Sequence, residues 1–567
     1  MKLKRKVTTM ANKNLFKSTT VKVSPTATNR THAKTPETDT TNTAGGVAYL
    51  RTEKSALAQI AVTNTFNGTF YATAEQNLEL AKKSALALKN DPEFIAKTAI
   101  YCRDKAYMKD MPAFLTAFLA TIDSKLFRKV FPIVINNGKM LRNFVQIGRS
   151  GAVGKVINMS SGAVRHAIRD WFVSKDPEFI FRASIGNDPS MRDILRMCRP
   201  KPENDTKAAL YAYLKGAEYV ESERMLVTRN RDKSIKYSNS FDALPAIVKQ
   251  YESFKKTHKG EIPNVDFRML DSVLTKDELK KLWVSTAQNS SWTTTRMNLN
   301  NFEKYGVFTD AALVDKIASR LSDKDQVAKA KCYPYQLMMA YNATESNSMP
   351  AKVKNSIQDA MEHSIDNVPV FKGKTVVCVD TSGSMSSPIT GNRVGATTKV
   401  SCVHVASLFA CSVLRKNQEA EVIPFDTSVH KSTLNSRDTV ITNATKLARF
   451  GGGGTDCACA IRELNKNKKS FDTIIFVSDN ESWVDGGYSY KGTGLLNEWN
   501  IFKSNNPKAK LVCIDLTPGS TSQVKPHKDI LQVGGWSDSV FDVIASFIEY
   551  GDSQDHWVNE IEKVTVG

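Results

Sequence analysis

From about residue 46 to residue 365, apolar positions recur at three- and four-residue spacings, the period that gives an α-helix one buried stripe. Residues 74–88 show it plainly, with Leu78, Ala81, Ala85 and Leu88 on one face. Helix starts are marked too. Asp91-Pro92-Glu93 and Asp176-Pro177-Glu178 each place an N-cap carboxylate before a proline at the first helical position, and Met111-Pro112 opens a further helix with its own proline. Residues 208–215, 244–254 and 276–287 continue the series. Many helices with short polar connections predict stacked helix pairs, as in α-solenoid repeats, although no fixed-period sequence repeat accompanies them.

The pattern changes near Phe371. Lys374-Thr-Val-Val-Cys-Val-Asp380 is a short β-branched run ending in a carboxylate, and residues 420–425, 472–479 and 510–515 resemble it. Helical stretches at 398–414 and 456–464 lie between these runs. Strands alternating with helices predict an α/β doubly wound parallel sheet, whose ligands bind at the carboxyl ends of the strands. Asp380 and Asp479 stand at two such ends. The expected organisation is therefore a disordered basic arm (1–45), a helical-repeat domain (46–365), an α/β domain (371–550) and a C-terminal tail (551–567).

Composition narrows the class. A chain of 567 residues exceeds one hydrophobic core, and 41% apolar with 24% charged residues is an ordinary soluble profile. No apolar run reaches the roughly 20 residues that span a bilayer. The basic start, Met1-Lys-Leu-Lys-Arg-Lys, runs into polar residues rather than an apolar segment, so no secretion signal is expected. The nine cysteines are scattered without framework spacing, and the close pair Cys457 and Cys459 lacks a second Cys/His pair at zinc-like spacing. A reducing cytoplasm is the expected compartment. The net charge of +20 favours an anionic partner such as nucleic acid.

Asp380-Thr-Ser382-Gly-Ser384 follows a strand directly, so two hydroxyls two residues apart can face one point beside a strand-end carboxylate. Gly451 to Gly454 form a pliant loop that brings Thr455 near, and Asp479 arrives from another strand end. Hydroxyls with few carboxylates make a hard, oxygen-only shell suited to a divalent metal ion, Mg²⁺ or Mn²⁺. Alone, Asp-x-Ser-x-Ser would read as an Asx-type turn and the glycines as a linker. In this order and context the residues resemble the metal-ion-dependent adhesion site of the von Willebrand A family, in which a partner's carboxylate commonly completes the metal shell. Catalysis would require a second metal or a poised general base. Asp456 is the candidate for either, while His404 reads as a residue of a helix covering the sheet. No enzymatic activity is expected.

Residues 124–169 carry Lys125, Arg128, Lys129, Lys139, Arg142, Arg149, Lys155, Arg165 and Arg169, and no acid. On a helix Arg165 and Arg169 share a face with His166 beside them, while Ala167, Ile168 and Trp171 point elsewhere. Such a run suits a phosphate backbone, and Arg or His can stack on unpaired bases. An ordinary solvated basic face is the competing reading. The stretch Arg165-His-Ala-Ile-Arg-Asp-Trp-Phe, then Met191-Arg-Asp-Ile-Leu-Arg-Met-Cys-Arg-Pro-Lys-Pro202, resembles the TROVE module of Ro autoantigen proteins. Thr295-Arg-Met-Asn-Leu-Asn-Asn-Phe302 and Tyr333-Pro-Tyr-Gln-Leu-Met-Met-Ala-Tyr341 follow in the family's order, ahead of the A domain.

That resemblance implies a ring of HEAT-like helical repeats closed by the A domain. It further implies binding of small structured noncoding (Y) RNA on the basic outer surface and of single-stranded 3′ ends of misfolded RNA through the central hole, in RNA quality control. Arg165, His166 and Arg169 are the implied RNA contacts, with Arg192, Lys201, Arg142 and Arg149 as further candidates. A protein partner such as an exoribonuclease, no membrane partner and a monomeric ring are expected. The chain departs from the family pattern at His166, where a second cation is expected, and at Cys198-Arg199. A protein-interaction adaptor docking through the metal site, and a metal-dependent enzyme acting on RNA, are the alternatives.

Overall fold

The computed structural model describes residues 36–63, 66, 73–160, 162–271, 273–330, 332–344, 349–389, 391, 400–484, 492–536, 540–550 and 555–567. The basic arm up to residue 35 lies outside the described residues.

Helices dominate residues 53–367, as the spacing predicts, and their caps are largely the expected ones. Asp91 accepts the Phe94 N–H at 3.2 Å to open Pro92–Asp104. Asp176 accepts from Glu178 and Phe179 to open Pro177–Arg182. Asp110–Ile122 starts at Met111-Pro112 without a side-chain cap. Its stability comes from packing instead. Every residue from Met111 to Leu119 is buried, enclosed by Pro92–Asp104, Ser124–Val134 and Gly138–Ser150. Each large apolar side chain so enclosed contributes about 1.5–3 kcal/mol.

The C-terminal domain holds a five-stranded sheet. In chain order the protein's strands are β1 (Thr40–Thr41), β2 (Val47–Leu50), β3 (Glu218–Val220), β4 (Met225–Arg229), β5 (Ile235–Ser240), β6 (Thr375–Asp380), β7 (Glu421–Phe425), β8 (Thr473–Ser478), β9 (Lys510–Asp515), β10 (Thr521–Ser522) and β11 (Ile530–Gly534). The sheet runs β11-β9-β8-β6-β7, and all of its pairings are parallel. β6 and β8 are buried at every position, which is why they read as continuous apolar runs. The chain leaves β6 toward β7 on one side and returns to β8 on the other. The switch point between crossovers therefore falls at the β6–β8 boundary, with Asp380 ending β6 and Asp479 just past β8.

The helical part meets this domain at both of its ends. The first helix, Glu53–Thr63, packs against β11, and Gln59 Nε2 donates to the Gln532 carbonyl at 3.5 Å. The last helices, Pro334–Thr344 and Ala351–Ser364, pack against Cys402–Lys416 and Val440–Leu447. The chain thus closes on itself.

Three boundaries differ from the sequence reading. Residues 36–45 are not free arm: β1 pairs with β2, and β2 pairs with β10 of the A domain. Side chains drive this docking, because Tyr49 is fully buried and the Arg51 guanidinium reaches Asp515 at 3.1 Å. Residues 555–567 are more than a tail. Helix His556–Glu562 buries Trp557 and packs on Glu53–Thr63 and Pro92–Asp104, with Glu562 bridging Lys54 and Lys97. Finally, the helical region is interrupted by an antiparallel sheet, β3-β4-β5, which rests on helix Asp205–Leu214.

Candidate functional site

Three loops converge at the switch point. Asp380 is fully buried, and its Oδ1 accepts the Ser382 N–H at 2.8 Å, so the Asx-type turn is real. The turn also positions chemistry. It sets Ser382 Oγ 3.1 Å from Ser384 Oγ, and the Ser384 hydroxyl reaches Asp479. Ser478, at the end of β8, donates to the second Asp380 oxygen at 2.5 Å.

The glycine loop lies directly over this turn. Gly452 N–H donates to the Thr381 carbonyl and Gly383 N–H to the Gly453 carbonyl, both at 2.9 Å. A Cβ on Gly451 would sit 2.2 Å from the Thr381 oxygen, and its φ of +78° is left-handed, so glycine is required twice over. Thr455 follows. Its carbonyl accepts from Trp483 and Val484, but its buried Oγ1 has no hydrogen-bond partner among the described residues. An orphaned buried hydroxyl on the loop that covers the Asp380 turn fits the oxygen shell of a divalent cation.

Electrostatics agree with that reading. Burial, then the Asp479 charge, pushes the Asp380 carboxyl well above the usual range. Burial also raises Asp479, with Glu481 and Asp515 adding repulsion. No cation pairs with either carboxylate among the described residues. Nor do the described residues hold any group of three or more His, Cys, Asp or Glu placed to bind a metal, so serine and threonine hydroxyls are indispensable to the fit. Asp456 is not a poised base: it holds Arg462 at 3.0 Å and accepts the Ala458 N–H. His404 lies in Cys402–Lys416, against the sheet, with its Nδ1 2.6 Å from Ser401 Oγ.

A strap missed in the sequence supports the third loop. Asn42 Nδ2 donates to the Ser482 carbonyl at 2.7 Å, and the Ala44 N–H donates to Glu481 at 3.0 Å. No local signal reveals this pairing, since the partners are more than 430 positions apart.

The basic residues form a second candidate site. In helix Gly162–Ser174 Arg165 and Arg169 share a face, and both Nε groups donate to the Cys198 carbonyl, at 3.3 and 2.8 Å. Arg169 Nη2 also donates to the Arg199 carbonyl at 3.0 Å. These bonds hold the guanidinium planes in place and leave N–H donors facing outward. His166 is exposed, with its Nδ1 2.9 Å from the Gly162 carbonyl oxygen. Arg192 and Lys201 are exposed, and Arg192 Nε donates to the Lys215 carbonyl at 2.9 Å. Arg149 is exposed, and the Asp193 carboxyl is lowered by Ser190 first, then by the Arg196 and Arg149 charges.

Arg142 is a correction. It is buried, and its Nη1 donates to the Ala183 carbonyl at 2.9 Å, so it braces the fold rather than facing a ligand. Arg196 and Arg199 were missed and belong to the exposed set. The four-residue step from Arg192 to Arg196 on Met191–Cys198 was the available signal. Among the described residues, none of Arg149, Arg165, Arg169, Arg192, Arg196, Arg199 or Lys201 forms an ion pair, whereas other surface cations commonly do.

A closed helical-repeat domain joined to an α/β domain with a hydroxyl-rich strand-end site defines a helical-repeat and von Willebrand A protein. Comparison with known proteins points the same way. Residues 374–548 match the Ro60 vWA domain. RNA-binding protein RO60 of Deinococcus radiodurans is 23% identical over 535 residues, spanning 89% of this chain and 94% of that protein. RNA-binding protein RO60 of Caenorhabditis elegans is 20% identical over 42% of this chain and 37% of its own length. The crystal structure of the Deinococcus radiodurans RO (RSR) protein superposes with a TM-score of 0.59 at 17% identity, covering 88% of this chain and 99% of that one. The chain is thus similar to Ro proteins over most of its length, and its C-terminal domain matches the Ro60 vWA domain. Among its described residues, no helix is long and apolar enough to cross a membrane.

Proposed function

We propose that this protein binds RNA on the face built by Arg165, His166, Arg169, Arg192, Lys201 and Arg149, as a non-enzymatic ribonucleoprotein scaffold. The observation that carries the reading is the set of unpaired cations gathered on adjoining helices. Anchored guanidinium groups without acidic partners are pre-placed for phosphate oxygens, and the exposed His166 ring can stack on an unpaired base. The family's ligands, small structured RNA and the single-stranded 3′ ends of misfolded RNA, fit this chemistry, and RNA quality control is the corresponding role. The relatives' naming as RNA-binding proteins supports RNA as the partner class.

In this reading Asp380, Ser382, Ser384, Thr455 and Asp479 hold a Mg²⁺ or Mn²⁺ ion, which when bound supplies an open position for a partner's carboxylate. Ser382 and Ser384 orient the shell, Ser478 fixes the Asp380 carboxylate, and the strap through Asn42 steadies the loop carrying Asp479. A protein partner, an exoribonuclease among the candidates, would dock there.

The test is a filter-binding titration of a structured RNA against Arg165→Ala/Arg169→Ala. The expected loss is about 1–3 kcal/mol per cation contact, with the folded structure retained. Affinity equal to the unmutated protein would refute the assignment.

A further inference from the structure

The antiparallel sheet β3-β4-β5 creates a groove that the candidate RNA face does not include. The groove encloses about 660 Å³ between the sheet, helix Asp205–Leu214 and the segment around Pro200 and Pro202. It starts where the basic face stops: Lys201 lies between those prolines, and Arg169 bonds the preceding Arg199 carbonyl. Its charged lining comprises four cations (Arg196, Lys215, Arg229 and Lys236) and one acid, Glu218. That acid is already engaged by Arg229 Nε at 2.8 Å. Arg196, Lys215 and Lys236 form no ion pair among the described residues.

β5 supplies the second element. It is the sheet's outer strand, paired only with β4, and five of its six residues are exposed. Tyr237 on it is 63% exposed, with Lys236 Nζ 5.6 Å from its ring centroid. An aromatic face in water with a cation beside it has no packing role in the fold. It does match the stacking platform on which proteins hold unpaired bases. Burial, reinforced by the Arg196 charge, holds the Lys215 ammonium below its usual range, as in a site awaiting an anion.

We infer that this groove is a binding site for an unpaired stretch of RNA, with Arg196, Lys215 and Lys236 on phosphates and Tyr237 stacked on a base. The inference rests on the RNA reading above and extends it to a separate subsite. Unpaired cations facing the groove select a polyanion over an uncharged peptide strand along the free edge of β5.

The experiment uses the full chain and two probes, an RNA hairpin with a single-stranded 3′ tail and the same hairpin without it. Lys236→Ala/Tyr237→Ala alters only exposed side chains of an edge strand. It should lower affinity for the tailed RNA at least about fivefold and leave the tail-less RNA unchanged. Tyr237→Phe, which keeps the ring, should bind the tailed RNA as the unmutated chain does. Unchanged affinity of Lys236→Ala/Tyr237→Ala for the tailed RNA would overturn the subsite and turn attention to an acidic peptide on the β5 edge. Equal losses for both RNAs would overturn the single-strand assignment. If Arg165→Ala/Arg169→Ala weakens binding while the groove variant does not, the subsite alone falls. If the unmutated chain binds neither RNA, the general RNA reading falls with it.

Discussion

The basic helical face and the loops at the β6–β8 switch point are charge imbalances of opposite sign, handled in opposite ways. On the helical face, cations lie at the surface without ion pairs among the described residues, and several are tied by main-chain carbonyls rather than carboxylates, as Arg165 and Arg169 are by Cys198. Water and salt screen such charges, so the face tolerates its own repulsion and stays open to phosphate. In the A domain, Asp380, Asp479, Glu481 and Asp515 are buried together, and water cannot screen them. Among the described residues, the cation that pairs within this group is Arg51, which holds Asp515 and leaves Asp380 and Asp479 to share their repulsion. Surface charge without partners serves long-range attraction; buried charge without partners is relieved by a proton or by a bound cation.

The largest expected effect lies at the internal counter-charge that Arg51 supplies to Asp515. Arg51→Met should destabilise the protein by about 3–5 kcal/mol, because it strands a buried carboxylate. Denaturant unfolding measures it, and a loss below about 1 kcal/mol would mean that the strap does not hold the A domain. Next, Asp479→Asn should abolish stabilisation by Mn²⁺. The unmutated protein should gain about 2.7 kcal/mol at a hundredfold excess over Kd, and the variant should show no shift in Tm while binding RNA normally. A Tm shift equal to that of the unmutated protein would separate Asp479 from the metal. The smallest effect on ligand binding belongs to Arg142→Met, which should cost about 1–3 kcal/mol of stability by orphaning the Ala183 carbonyl yet leave RNA affinity within about twofold. A tenfold affinity loss in a folded Arg142→Met protein would return that residue to the interface.

How legible each region was depends on how local its determinants are. β6 and β8 could be read directly, because a strand buried on both faces is a continuous β-branched run, and their terminal carboxylates marked the strand ends that meet at the switch point. β3 to β5 escaped, since that sheet buries little beyond Leu226 and Val227, and a strand as exposed as β5 carries no alternation. β1, β2 and β10 are two to four residues long, and β2 is held in the sheet by β10, which lies near the other end of the sequence. Arg142 shows a different limit. A count of cations finds a basic segment but does not say which of them face inward, and on Gly138–Ser150 the buried face includes Arg142 while Arg149 is exposed. The domain order was legible from motif order alone, and the Ro60 vWA match at 374–548 falls inside the expected 371–550.

The most direct test of the central claim is the affinity of the unmutated protein for a structured RNA bearing a single-stranded 3′ tail, measured across a salt series from about 50 to 200 mM. With the five cations of the helical face and the three of the groove on phosphates, log K should fall against log salt with a slope of about −5 to −7, and removing the tail should weaken binding and flatten the slope. No binding at the lowest salt, or affinity indifferent to salt, would contradict an RNA-binding face and favour a protein adaptor that docks partners through the metal site.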